Sequence, residues 1–178
     1  MTNVIIFHGT GSSPNHYWHP YIKKELERKG YVVSVPAMPN SEKSDIKEWL
    51  PFVLENEKIS EDMILIAHSS GCALILSILE NIDCKIKQAI LVSGFIDTVD
   101  CNILQESYDW EKIRSNVKDI IFINSDDDPW GCDYRQGRKM FDKLGGTLII
   151  RHGEGHMGSK DFGQPYKEFP FLLNLIDC

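Results

Sequence analysis

The chain has 178 residues, 42% of them hydrophobic and 25% charged, with a formal net charge of −7. These are the proportions of an ordinary globular protein, and the length suits a single domain over residues 1–178 with a substantial core. The acidic balance argues against nucleic acid or an anionic membrane as partner; no Lys/Arg run exceeds Lys23-Lys24, and no apolar run nears the roughly 18 residues of a membrane span.

Residues 1–4 carry no basic segment or cleavage site, so no secretory signal is expected. Cys72, Cys84, Cys101, Cys132 and Cys178 have irregular spacing and no CxxC. Neither a disulfide framework nor a metal centre is expected, and a reducing cytoplasm is the expected compartment.

Residues 4–7, Val-Ile-Ile-Phe, predict a buried strand running into the loop His8-Gly9-Thr10-Gly11-Ser12-Ser13-Pro14. Trp18, Tyr21, Ile22 and Leu26 then recur near helical spacing, and Gly30 closes that helix. A second strand covers residues 31–35 and stops at Pro36. Ser44 or Asp45 can cap the next helix, whose face is marked by Ile46, Trp49 and Val53; Pro51 inside it predicts a kink or a late start.

Residues 63–67 form the third apolar strand, followed by His68-Ser69-Ser70-Gly71 and an apolar helix to about Asn81. Residues 89–92 are the fourth strand, ending at Ser93-Gly94. Residues 95–109 show no clear period, and a short helix follows at 110–116. The fifth strand, 120–123, runs into Asn124-Ser125-Asp126-Asp127-Asp128-Pro129. A helix at 134–144, a strand at 147–151, a polar glycine-rich loop and a last helix carrying Phe169, Phe171, Leu172, Leu175 and Ile176 complete the chain.

Short apolar strands alternating with amphipathic helices predict an α/β fold: a three-layer sandwich around a mostly parallel six-stranded sheet. Ligands bind such sheets at the carboxyl ends of the strands. The polar clusters fall there: residues 8–13, 68–71, 126–128 and 152–156.

A serine at a strand-to-helix turn has the layout of a nucleophile elbow. Small residues are needed two positions either side of the nucleophile, because strand and helix approach closely. With Ser69 at the apex those positions are Ala67 and Gly71; with Ser70 they would be the bulkier His68 and Cys72. Ser69 is therefore the candidate nucleophile, with capping of the following helix as the plain structural alternative. A thiol role for Cys72 is disfavoured, since it lies a turn into the helix.

A serine nucleophile needs a base and a group that orients the base. An acid after strand five and a histidine after strand six follow the chain order of the α/β-hydrolases. Asp126, Asp127 and Asp128 compete as the acid, and spacing does not choose among them. Among six histidines, His156 in Gly153-Glu154-Gly155-His156 is the candidate base. His16-x-x-His19 and the 152–156 loop lack the HExxH pattern, so no metal is expected. The backbone N–H groups of Thr10 and Ser70 are candidates for an oxyanion hole. The glycine-rich first loop lacks the Lys-Ser/Thr ending of a phosphate-binding loop, and no cofactor is expected. His8, Trp18, Phe95 and Trp130 are candidates for the substrate pocket, and Tyr17 and Tyr108 for further aromatic walls. If His156 is the base, activity should rise through roughly pH 6 to 7, near the reference histidine value.

The chain resembles the small serine hydrolases related to retinoblastoma-binding protein nine, a compact branch of the α/β-hydrolases. The resemblance runs through residues 4–11 and 21–27, Trp49-Leu50-Pro51-Phe52, His68-Ser69-Ser70-Gly71, Leu91-Val92-Ser93, Trp110-Glu111-Lys112-Ile113, residues 125–129 and Gly155-His156. It implies Ser69 as nucleophile, Asp128, the aspartate directly before proline, as acid, and His156 as base. It also implies a minimal fold without a large lid, and hydrolysis of esters or amides. Family members usually carry Gly where this chain has Ala67, and often Gly near Asn124. Because some relatives are named for partner binding, a protein-interaction module on a hydrolase scaffold is the alternative to an enzyme acting on a small or short peptide-like substrate.

Overall fold

A computed structural model describes residues 2–97 and 102–176; Cys101 and Cys178 lie outside these. The described residues form β1 (Asn3–Phe7), α1 (His19–Arg28), β2 (Val32–Ser34), α2 (Ile46–Asn56), β3 (Ile64–His68), α3 (Ser70–Asn81) and β4 (Ile86–Val92). Then follow α4 (Trp110–Ser115), β5 (Val117–Ser125), α5 (Tyr134–Leu144), β6 (Thr147–Arg151) and α6 (Pro170–Leu173).

The six strands make one sheet in the order β2-β1-β3-β4-β5-β6, and every pair is parallel. The expected α/β architecture is therefore the one observed. Alternate strand residues feed two cores, because successive side chains point to opposite faces. Ile5, Phe7, Leu65, Ala67, Leu91 and Phe122 pack with α2, α3, α4 and α5. Val4, Ile6, Ile66, Ile90, Val92 and Ile123 pack with Trp18, Ile22 and Leu26 of the α1 region and Phe169 and Leu172 of the α6 region. Burial on both faces explains the unbroken apolar runs of the central strands. The edge strand β6 leaves Ile150 exposed.

Three local expectations are corrected. α2 does not start late: it begins at Ile46, five residues before Pro51, because the Asp45 side chain accepts a hydrogen bond from Lys47 N and Trp49 and Val53 are buried. β4 and β5 extend beyond their apolar cores, to Ile86–Val92 and Val117–Ser125. The last helix shrinks to Pro170–Leu173, with Phe169 immediately before it.

The chain leaves β1 for β2 on one side and reaches β3 on the other. The carboxyl ends of β1 and β3 thus flank a switch point, where a crevice is expected. Between β4 and β5 the described residues hold one six-residue helix, α4, and no lid domain.

Candidate active site

The turn from β3 into α3 is tight. Ser69 has φ 54° and ψ −123°, a conformation that costs a non-glycine residue about 1–3 kcal/mol. It is held because Ser69 N donates to Val92 O (2.9 Å) and Cys72 N donates to Ser69 O (2.9 Å). Gly71 meets the size requirement: a Cβ there would lie 2.7 Å from Phe7 O and 2.9 Å from His8 O. Ala67 packs into the core beside Phe7 and Leu91, its register partners, so alanine meets the need for a small residue there. Ser70 is the first helical residue, and its hydroxyl is engaged with Thr10 Oγ1 at 2.6 Å. Cys72 is fully buried and burial pushes its thiol pKa up, which leaves it no role as a thiolate.

The β5 and β6 loops are joined residue by residue. Asp126 binds His152 Nδ1 (2.6 Å) and Gly153 N (2.9 Å). Asp127 accepts from Ser125 Oγ (2.6 Å) and Gly155 N (2.8 Å). Asp128 Oδ2 accepts from His156 Nδ1 (2.7 Å), while its Oδ1 accepts from Trp130 N (2.9 Å). Asp128 and His156 are both buried, at 7% and 6% exposure, whereas His152 stands in solvent. The Ser125 hydroxyl holds the Asp127 carboxyl below its usual range, and the His152 hydrogen bond does the same for Asp126. These two carboxylates hold the loop, and only the third reaches a buried imidazole.

With Nδ1–H committed to Asp128, the Nε2 of His156 carries the lone pair. That is the tautomer a general base requires. The ring is fixed through its own backbone: His156 N donates to Gln164 Oε1 (2.9 Å), and His156 O accepts from His68 Nε2 (2.8 Å) and Ser93 Oγ (3.0 Å). Gly155, at φ +54°, lets the loop close over Gln164, whose amide would meet a Cβ there at 2.1 Å. His68 is wholly buried; burial, and then repulsion from His156 and His19, push its pKa well down, so it is a neutral donor. His68 and Ser93 were not among the sequence candidates. The signals available were the histidine directly before the elbow serine and the Ser-Gly at the end of β4.

Ser69 and His156 line one cleft of about 680 Å³, together with Thr10, Ser70, Phe95 and Trp130. The hydroxyl–imidazole hydrogen bond is not formed among the described residues; such bonds commonly tighten only when substrate is bound. Thr10 and Ser70 line this cleft, and their hydroxyls and that of Ser44 form a chain with 2.6 Å links.

Three pocket and wall expectations are corrected. Trp18 is fully buried between α1 and α6, and its Nε1 donates to Met157 O (3.0 Å), bracing the histidine loop from beneath. His8 is 1% exposed; its Nδ1 donates to Gly9 O and its Nε2 accepts from Met38 N (3.1 Å), tying the loop after β2 to the end of β1. Tyr108 packs against Trp110 and the α3 core rather than the cleft. Tyr17 does line the cleft. Trp130 and Phe162, each 48% exposed, meet edge to face at 5.2 Å on its rim.

A wholly parallel sheet in this order, with a serine at a strained strand-to-helix turn on its carboxyl edge, is the architecture of the α/β-hydrolases. The chain belongs to the serine hydrolase family, whose model matches residues 4–175, and is an enzyme acting on ester or amide bonds. It is similar to YdeN of Bacillus subtilis, at 34% identity over 134 residues and 70% of each chain. It is also similar to serine hydrolase RBBP9 of Rattus norvegicus, at 29% identity over 166 residues, 89% of this chain and 88% of the relative. The crystal structure of the Bacillus subtilis ydeN gene product superposes with a TM-score of 0.89 at 27% identity, covering 98% of this chain and 96% of that one. No helix among the described residues is long and apolar enough to cross a membrane.

Proposed function

We propose that the protein hydrolyses small ester or peptide-like amide substrates through an acyl-enzyme on Ser69, with His156 as general base and Asp128 as its orienting acid. The observation that carries this reading is the strained Ser69 turn sharing a cleft with a buried His156–Asp128 pair held at 2.7 Å. Ser69 Oγ attacks the substrate carbonyl while His156 Nε2 takes its proton. Asp128 keeps Nδ1 protonated and stabilises the imidazolium. The backbone N–H groups of Thr10 and Ser70 receive the developing oxyanion. His156 then protonates the leaving group, and water deacylates Ser69 by the same route.

The cleft argues for short acyl groups. Among the described residues no lid covers it, and it offers Phe95, Trp130 and Tyr17 as aromatic walls with Lys43 and Asp161 at its mouth. Such a surface grips a compact acyl or aminoacyl group better than a long alkyl chain, which would remain largely in water.

A panel of p-nitrophenyl acetate, butyrate and palmitate with aminoacyl p-nitroanilides tests the reading. The expected result is turnover of the short esters or the amides, abolished by Ser69→Ala, with palmitate poorest. Full turnover by Ser69→Ala would overturn the assignment of the nucleophile.

A further inference from the structure

We propose that Asp128, Cys132 and His156 form a reversible inhibitory site for a thiophilic divalent cation of the zinc type. One ligand atom from each of these three buried residues lies within 4.8 Å of the others, and no other such set of three His, Cys, Asp or Glu occurs among the described residues. A thiolate, an imidazole and a carboxylate are a donor set suited to zinc, and three protein ligands leave a fourth position open. With zinc–ligand bonds of about 2.0–2.3 Å, tetrahedral ligand atoms sit roughly 3.3–3.8 Å apart. The set therefore closes around an ion by movements on the order of 1 Å, which side-chain rotation supplies.

The local chain favours this grouping. Asp128 and Cys132 sit on one turn, closed by Gly131 N donating to Asp128 O (3.1 Å), with Gly131 at φ +75°. Cys132 is fixed from behind, where its carbonyl accepts from Asn124 Nδ2 (2.8 Å). Cys132 and His156 both line the cleft, so an ion can enter from solvent. On binding, the thiol proton leaves to solvent and the sulfur coordinates as thiolate.

The consequence for turnover rests on the proposed triad. An ion on Nε2 of His156 takes the lone pair that accepts the serine proton. An ion on Nδ1 displaces the hydrogen bond to Asp128. Either way the base is lost, and removing the ion restores it. Ion binding itself does not depend on the triad reading.

The test uses Zn²⁺ and Co²⁺ on the full chain, with Cys132→Ser and Cys132→Ala beside wild type. Metal-free wild type titrated with Co²⁺ should show a near-ultraviolet thiolate-to-cobalt charge-transfer band that both variants lack. Zn²⁺ should abolish wild-type ester hydrolysis, EDTA should restore it, and the half-inhibiting Zn²⁺ concentration should rise about tenfold or more in the variants, each normalised to its own metal-free rate. Absence of the cobalt band from wild type, or an unchanged band or Zn²⁺ inhibition curve in both variants, would overturn the site. Failure of the hydrolase reading would show separately, as metal-free wild type without turnover; the cobalt band would still decide the site.

Discussion

The carbonyl of His156 accepts two hydrogen bonds from different strands, His68 Nε2 at the end of β3 and Ser93 Oγ just past β4. Removing both donors should cost more than the sum of removing each. Ser93→Ala leaves His68 in place, and His68→Phe leaves Ser93 in place with an aromatic ring still against Tyr17 and Trp18. His68 Nδ1 has no hydrogen-bond partner, so its loss strands no other group. Each single substitution removes one neutral hydrogen bond, worth about 1 kcal/mol. The double variant leaves a buried carbonyl without a partner, a further penalty of about 1–3 kcal/mol. If 1 kcal/mol is felt in the transition state, each single loses about fivefold in kcat/KM. In the double variant the unanchored loop shifts the imidazole, and a misplacement of about 1 Å costs roughly 10²-fold. Urea unfolding and hydrolysis of p-nitrophenyl acetate by the four proteins complete the cycle. Additive stabilities, with the double variant's kcat/KM equal to the product of the singles, would refute the argument that these side chains position His156.

Further outcomes follow from the same geometry. Asp128→Asn keeps an acceptor for Trp130 N but no longer fixes the imidazole tautomer, so kcat should fall by about 10⁴ with the urea midpoint little changed. Thr10→Val cuts the hydroxyl chain to Ser44 and Ser70; kcat should fall with KM nearly constant, by less than the roughly 10²–10³ of a lost oxyanion donor, because the backbone N–H remains. Burial lowers the His19 pKa from 6.5 to about 3 and pushes His8 and His68 down as well, so as pH falls below 6.5 the unfolded chain takes up these protons first. The stability held above that pH should then drain away toward the folded values at about 1.4 kcal/mol per pH unit for each histidine. Urea midpoints at about pH 7, 6 and 5 should fall accordingly, and His19→Gln should remove roughly a third of the slope.

What was legible in the sequence was what repeats locally. The central strands read clearly because burial on both faces demands unbroken apolar runs, and α1, α3 and α5 because their apolar faces recur with the helical period. The Ser69 turn read clearly because only small residues tolerate the approach that Gly71 makes to Phe7 and His8. The three aspartates could not be told apart by position, since each satisfies the loop in a different way. Their division of labour depends on which atom each meets on the loop after β6, and that register is a tertiary fact. Trp18 was misjudged because a tryptophan near a catalytic loop can face the cleft or brace the loop from below; the α6 region, 150 residues further on, decides it. His68 and Ser93 were missed because they act on a backbone carbonyl 88 and 63 positions away. The extent of α6 was overestimated because its apolar residues pack from irregular backbone as well as from helix.

An activated Ser69 is the nucleophile on which the proposed mechanism turns. A fluorophosphonate probe followed by peptide mapping tests it most directly. One label per chain is expected, on Ser69, lost in Ser69→Ala and strongly slowed in His156→Ala. A label on Ser70, or a folded wild-type protein that takes none, would contradict it.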